Sequence, residues 1–522
     1  MSVHQRLGRF LQNKNAPILI LLAICLLVGM FTFQDYGMAW DEYLYYGYAD
    51  AIGYAYSISA HLSPDFDLNQ AYGPSEGDHR NHGPGYILFA RLGMYALQAL
   101  TGIERIPLWH LVNFVTYLVG AYFVYKISLR WLGPPGALAS TALYLTQPVL
   151  WEHGFINPKD MPFATTFIAG VYFGLRMVDR FTSPDFKLRK DWPVMLITAI
   201  LIGLATNQRM TGPLLGVMLF LYALLLGQKK SLLWFIPVGF VAMITTYVTW
   251  PYLWATPVKT FVEVLELMTS YSTTPNVLFM GDLYRSFELP QRYLPWLLGI
   301  TLTEPVWPFF FIGSVIALMR LTKKRLEWRS LSILVFWFAF MLLYVVILRP
   351  ATYDNYRHFL FILPPVFILG GFVFEEIYQG ISANWVYALL VVIVLLPGVI
   401  ADVRLHPYQY TYYNTLVGGT GGAAGQYETD YWLTCYKDAV KELAANTDES
   451  VDLYVRREFY IAQYYAPENV NVYDFARKAV QPGDYVLWSA RAEPGVQALS
   501  EENFYALTVE REGAVFCALQ RR

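Results

Sequence analysis

Charged residues are scarce in this chain of 522 residues. Only 15% are Asp, Glu, Lys or Arg, against roughly 25% in ordinary soluble domains. Hydrophobic residues make up 56% of the chain and aromatic residues 17%. This balance excludes an ordinary soluble protein and predicts a polytopic α-helical membrane protein. The net charge of −2, without any basic stripe, also argues against nucleic acid as a partner.

Cysteine is rare as well, with three residues in the whole chain. Cys25 lies in the first hydrophobic segment, and Cys435 and Cys517 lie far apart near the C-terminal end. This separation fits no zinc-binding motif. A Cys435–Cys517 disulfide is compatible with a location outside the cytoplasm, but two free buried thiols fit the sequence equally well.

Three further features are missing from the sequence. It contains no Gly-rich nucleotide-binding turn, no internal repeat and no low-complexity tract. A nucleotide-dependent enzyme therefore has no support. The inverted repeats typical of many transporters are not recognisable either.

Long apolar segments are abundant. The first covers residues 16–33 and lacks a small-residue cleavage site, so we expect an uncleaved membrane helix. With ten further segments it predicts about 11 transmembrane helices. The ten lie at 106–125, 134–151, 161–178, 193–208, 212–227, 231–250, 293–319, 331–348, 357–376 and 385–401.

Basic residues indicate the orientation of these segments. Arg6, Arg9 and Lys14 precede the first one, and basic clusters recur in the loops on that same side. Because basic loops stay in the cytoplasm, we expect the N-terminus inside and the C-terminus outside the plasma (inner) membrane. Residues 1–401 would then form the transmembrane module, with extracytoplasmic loops at 34–105 and 251–292.

The sequence pattern changes after residue 401. Residues 451–455 and 484–488 are typical of strands, and residues 439–445 and 459–465 of helices. Alternating short elements over about 120 residues can bury a core of their own. Residues 402–522, here called the tail, are therefore predicted to form a small extracytoplasmic α/β domain.

Two adjacent acids, Asp41 and Glu42, follow the first apolar segment. Carboxylates at a membrane edge are costly to dehydrate and are usually functional. One interpretation is that an acid merely caps a helix beginning at Tyr43. The other is that Asp41 acts as a general base that deprotonates a hydroxyl, with Glu42 beside it.

The short loop Asn157-Pro158-Lys159-Asp160 is a second candidate. Its prolines predict an ordered turn, and turn chemistry alone would explain it. Alternatively, Asp160 faces Asp41 across one cavity while Lys159 binds an anion. The two carboxylates could also form a weak divalent-cation site, since such ions prefer oxygen ligands.

Several cations are expected on the outer side, against the positive-inside trend. Arg209 and Arg357 would suit a phosphate at headgroup depth, with Lys159 and His358 beside them. The structural alternative is that the arginines are snorkelling anchors at helix ends.

Trp40, Arg80 and His82 are candidates for substrate contact. His82 lies in Asn81-His82-Gly83-Pro84, where a solvated loop histidine is the simpler interpretation.

The ordered set of these motifs resembles the C-type (GT-C) glycosyltransferases, in the branch of the dolichyl-phosphate-mannose–protein mannosyltransferases and their bacterial relatives. The resemblance covers nearly all of residues 1–435. It rests on six segments: Asp41-Glu42, residues 157–160, 250–254, 294–305 and 353–365, and the stretch from His406 to Trp432.

The resemblance implies an integral-membrane enzyme that moves a sugar from a polyprenyl-phosphate or polyprenyl-diphosphate carrier to an extracytoplasmic acceptor, which is a glycan, lipid or protein. It assigns the catalytic base to Asp41, with Glu42 beside it. We expect Asp160 to be a helper or substrate ligand, and a single displacement with one carboxylate base predicts inversion at the anomeric carbon. No cofactor is required, and a divalent cation stays open. A metal-dependent, oligosaccharyltransferase-like enzyme stays open as an alternative, as do a transporter or lipid-linked-sugar flippase and a non-catalytic scaffold that binds cell-wall polymer.

Overall fold

Helices form most of the chain up to Leu405, since apolar segments in lipid must pair their own backbone groups. The computed structural model describes residues 14–74, 79–227, 229–269, 275–447, 449–491, 495–501 and 506–522. Arg6 and Arg9 lie outside these described residues. The helices are α1 (Ala16–Thr32), α2 (Glu42–Ala51), α3 (Ile58–His61), α4 (Gly85–Thr101), α5 (Arg105–Ser128), α6 (Pro134–Leu145), α7 (Pro148–Ile156), α8 (Asp160–Phe181), α9 (Leu188–Gln208), α10 (Pro213–Leu225), α11 (Phe235–Val248), α12 (Pro257–Thr269), α13 (Tyr293–Thr301), α14 (Val306–Thr322), α15 (Trp328–Leu348), α16 (Pro364–Gly380) and α17 (Asn384–Leu405).

Five stretches among the described residues are long and apolar enough to cross a membrane: α5, α8, residues 231–248, α15 and α17. Helices α13 and α14, which are bent by 105° at the break between them, would make a sixth. The helical membrane protein is thus supported, but the predicted number of about 11 spans is not confirmed. Some predicted spans are short or broken: segment 134–151 divides into α6 and α7 before Pro148, and segment 212–227 yields only the 13 residues of α10.

The core of the bundle lies around α5 and α8. A Cβ atom on Gly120 of α5 would lie 2.7 Å from Thr165 Oγ1 of α8, so the missing side chain allows the two helices to approach. Helices α1 and α9 pack against this pair. This packing brings together four parts of the chain: the start of α8, the end of α9, the segment after α1 and the segment before α16.

The tail contains a mixed five-stranded sheet. Its strand order is β4 (Val470–Asp474), β3 (Val451–Val455), β5 (Tyr485–Ser489), β7 (Ala514–Arg521) and β6 (Leu507–Arg511). Strand β3 is parallel to β4 and β5. The strand predicted at 451–455 is correct, the one at 484–488 is shifted by one residue, and both predicted helices are present. A disulfide joins Cys435 to Cys517, which settles the pairing that the sequence left open. The strands are β1 (Asn276–Phe279), β2 (Asp282–Arg285), β3 (Val451–Val455), β4 (Val470–Asp474), β5 (Tyr485–Ser489), β6 (Leu507–Arg511) and β7 (Ala514–Arg521), and the tail helices are α18 (Gly419–Ala423), α19 (Tyr436–Ala445), α20 (Phe459–Tyr465) and α21 (Val496–Glu501).

The tail holds the segment between α1 and α2 in place. The backbone N–H of Trp40 donates to the carbonyl of Trp432 at 3.1 Å, and that of Met38 donates to the Tyr465 hydroxyl at 2.8 Å. The Lys437 ammonium donates to the carbonyls of residues 34–36. The residues that precede Asp41 are therefore positioned by the tail as well as by the bundle.

Candidate functional site

Asp41 occupies the position before α2, but its side chain makes no capping hydrogen bond. The capping interpretation is therefore not supported. Its carboxylate lies 3.4 Å from Lys159 Nζ and 3.6 Å from Arg357 Nη1. The side chain remains 21% exposed, so a substrate can reach it.

The two cations control the ionisation of Asp41. Burial alone would raise the pKa of this carboxyl group, but the Lys159 ammonium and then the Arg357 guanidinium hold the pKa well below its usual range. Without a ligand, Asp41 is consequently an ionised but weak base.

Asp160 lies between two arginines at the start of α8. Its side chain is 1% exposed; Oδ2 lies 3.1 Å from Arg357 Nη1, and Oδ1 accepts from Arg209 Nη2. Asn157 Oδ1 accepts from the backbone N–H groups of Lys159 and Asp160, at 3.1 and 2.7 Å. The loop is thus an ordered turn, and the same turn brings Asp160 to the cation that also approaches Asp41.

These residues form one ion-pair cluster, defined here as Asp41, Lys159, Asp160, Arg209 and Arg357. Three cations face two carboxylates. The buried Nε atoms of Arg209 and Arg357 have no hydrogen-bond partner within the described part of the chain. Burial and the neighbouring Arg357 lower the pKa of Arg209 to about 10, which leaves it protonated at neutral pH. Unpaired buried donors on two guanidinium groups suit an anionic ligand.

His82 and His358 lie near the cluster. Both are half-buried. Burial, reinforced by Lys159 and Arg209, lowers the pKa of His82 far below its usual value. The His82 side chain is therefore neutral near pH 7 and can offer only neutral hydrogen bonds.

Several residues beside the cluster were missed by sequence reasoning. Asp354 is fully buried and pairs with Arg357 at 3.1 Å and with Arg491 of the tail at 2.8 Å. His79 Nε2 lies 3.4 Å from Lys159 Nζ, and burial followed by the Lys159 charge lowers the pKa of His79 to about 3. Asp354 could have been found from its place three residues before Arg357. The sequence offers no signal for Arg491.

The donor set does not fit a divalent cation at Asp41 and Asp160. Both oxygens of Asp160 are engaged by guanidinium groups, and Asp41 is approached by an ammonium and a guanidinium. A metal ion there would meet three positive charges. The only other group of metal-ligand type among the described residues contains Asp430 with the disulfide-bonded Cys435 and Cys517, which offer no thiolate.

The chain is similar to known proteins in sequence and in fold. The family described as dolichyl-phosphate-mannose-protein mannosyltransferase matches residues 82–254, about a third of the chain. No curated protein matches the chain in sequence.

Two solved structures show the similarity of fold. ArnT from Cupriavidus metallidurans in the apo state has a TM-score of 0.50 at 14% identity, with 96% of this chain and 97% of that chain covered. The Archaeoglobus fulgidus oligosaccharyltransferase tethered with an acceptor peptide has a TM-score of 0.52 at 11% identity, with 97% and 74% covered. The GT-C resemblance is confirmed. The family match over about a third of the chain and the fold shared with these two structures agree with that resemblance.

Glu42 is fully buried, unlike Asp41, the residue before it. Its carboxylate accepts hydrogen bonds from the Ala39 N–H and the Tyr46 hydroxyl, both at 2.7 Å, and lies 3.1 Å from His110 Nε2. These contacts tie α2 to α5, so Glu42 supports the position of Asp41.

Arg80 and Trp40 contact other parts of the same end of the bundle. The Arg80 guanidinium lies 5.0 Å from the centre of the Tyr252 ring, and the Arg80 carbonyl accepts from Trp250 Nε1. The Trp40 ring lies beneath Arg457 and Arg491 of the tail, at 5.7 and 5.6 Å.

A cavity of about 310 Å³ opens between the tail and the β1–β2 hairpin. Its wall contains both guanidinium groups that cover Trp40, the residue before Asp41. The cavity therefore lies beside Trp40 on the side of the tail, and its lining includes none of the five residues of the ion-pair cluster. Its lining includes Asn276, Leu283, Tyr427, Glu428, Arg457 and Arg491.

Proposed function

We propose that the protein transfers a sugar from a polyprenyl-phosphate or polyprenyl-diphosphate carrier to an acceptor outside the cytoplasm, with inversion. The ion-pair cluster is the observation that carries this proposal. It combines an accessible carboxylate with buried, unpaired guanidinium donors, and it lies in a GT-C fold. The matching family is described by a dolichyl-phosphate-mannose donor, which has the same lipid-phosphate chemistry.

In this mechanism the cations bind the carrier phosphate and Asp41 accepts the proton of the acceptor hydroxyl. A phosphate that draws Lys159 and Arg357 away removes the charges that hold the pKa of Asp41 low. Donor binding thus makes Asp41 a better base where one is needed. The leaving phosphate has a second pKa of about 6, so its departure needs no acid. One carboxylate then suffices, and a single displacement inverts the anomeric carbon.

The direct test uses the purified full-length protein in vesicles with polyprenyl-phosphate-linked sugars, beginning with mannose, and envelope material as acceptor. We expect release of polyprenyl phosphate that depends on the acceptor. A transporter or flippase would instead move the intact lipid between leaflets without breaking the sugar–phosphate bond, and that result would contradict the proposal.

We also propose that the tail lies outside the cytoplasm of a multi-pass plasma (inner) membrane protein. Glu449 is exposed in the tail, and Arg325 is exposed between α14 and α15, a region that the basic residues assign to the inside. In intact cells a membrane-impermeant thiol reagent should label the Glu449→Cys variant and spare the matched Arg325→Cys variant. Labelling of Arg325→Cys with protection of Glu449→Cys would reverse the topology.

A further inference from the structure

The carboxylate of Asp354 bridges two arginines that are far apart in sequence. Its Oδ2 lies 3.1 Å from Arg357 Nη2, and its Oδ1 lies 2.8 Å from Arg491 Nη2. Trp432 Nε1 donates to the same Oδ2 at 3.1 Å. Asp354 is fully buried and both arginine side chains are 4% exposed. Because water screens little at this depth, the stability of each of these three buried charges depends strongly on its charged partners.

The backbone turn that carries Arg357 is tied to the tail. Asp354 and Asn355 have φ angles of +54° and +59°, in the left-handed region that Asp and Asn adopt more readily than other residues with a Cβ atom. The tail supplies the contacts that hold this turn: Glu428 accepts from the Asn355 N–H at 3.4 Å and also pairs with Arg491.

We infer that Arg491 is a positioning residue of the donor site, which acts on the carrier phosphate through Asp354 and Arg357. The inference rests on the function proposed above. While Arg491 neutralises one side of Asp354, Arg357 can turn its remaining donors toward Asp160 and a phosphate. Without Arg491, Asp354 keeps Arg357 as its one guanidinium partner among the described residues, and less of the Arg357 charge is available to the ligand.

The test measures the dissociation constant of undecaprenyl phosphate for the full-length protein in nanodiscs. We expect Arg491→Gln to weaken binding about tenfold, a typical coupling between contacting charged residues. Arg491→Lys should recover part of the loss because it keeps the charge without the planar fork. Arg457→Gln is the matched control, because Arg457 stacks on the same Trp40 ring and the described residues include no contact between it and Asp354.

A double-mutant cycle separates positioning from general damage to the tail. If Arg491 acts through Asp354, the Asp354→Asn/Arg491→Gln double variant should bind no more weakly than Asp354→Asn alone. Losses that simply add, or an affinity of Arg491→Gln equal to wild type, would overturn the inference and leave the proposed function standing. Failure of the wild-type protein to bind undecaprenyl phosphate would overturn both.

Discussion

Asp41→Asn should reduce sugar transfer by about 10²–10⁴-fold, the usual contribution of a general base. The amide keeps the shape of the side chain and removes the negative charge. Because the neutral amide no longer attracts Lys159 and Arg357, binding of undecaprenyl phosphate should be unchanged or tighter. Single-turnover transfer and equilibrium binding, measured on the same preparation, check the two parts separately.

Glu42→Gln is the control for that substitution, since it alters the adjacent residue in the same way. Glu42 is buried against His110 and Tyr46, so we expect lower thermal stability with a much smaller loss of transfer by the folded fraction. Near-normal transfer by Asp41→Asn would contradict the mechanism and make Asp160 the next candidate for the catalytic base.

Arg357→Ala should weaken binding of undecaprenyl phosphate by roughly 100-fold. A hydrogen bond to a charged group contributes about 1.5–3 kcal/mol, and the bidentate fork could supply two such bonds to a phosphate. Arg357→Lys should recover part of the affinity, because the charge stays while the fork is lost. The alanine substitution also leaves Asp160 and Asp354 with fewer cationic partners, so the folded fraction must be measured beside the affinity.

Arg176→Ala gives a matched control for the loss of an arginine. Arg176 lies on α8, the helix that begins with Asp160, but it is exposed and stacks on Tyr172. Its removal should leave phosphate binding as in the wild type. If Arg357→Ala behaves like Arg176→Ala, Arg357 is a structural anchor and the phosphate lies elsewhere.

The sequence contains the local features of this architecture. Apolar segments and scarce charge predict the helical membrane protein, and short alternating elements predict the sheet region of the tail. The prolines predict the turn at Asn157. The positive-inside trend predicts that Arg209 and Arg357 lie on the outer side of the membrane, the side expected for Asp41 and Asp160. These predictions need only the composition of each segment and the order of the loops along the chain. A single sequence contains both.

Features that depend on tertiary contacts were not predictable. Asp354 and Arg491 are 137 positions apart in the sequence, and no local pattern predicts that these two residues pair with each other. His82 has an ordinary loop sequence, and only the packed structure shows the burial and cations that keep it neutral. The predicted number of spans was not confirmed, because hydrophobicity does not show where a helix breaks. One such break lies just before Pro148, between α6 and α7.

A structure of the Asp41→Asn variant with a polyprenyl-phosphate-linked sugar bound would show directly where the carrier phosphate lies. We expect a phosphate within hydrogen-bond distance of Arg357 and Arg209, with the anomeric carbon facing the substituted amide side chain at position 41. Lys159 should have left that side chain for the phosphate. A lipid phosphate bound at another place, with the ion pairs of Asp160 to Arg209 and Arg357 unchanged, would contradict it.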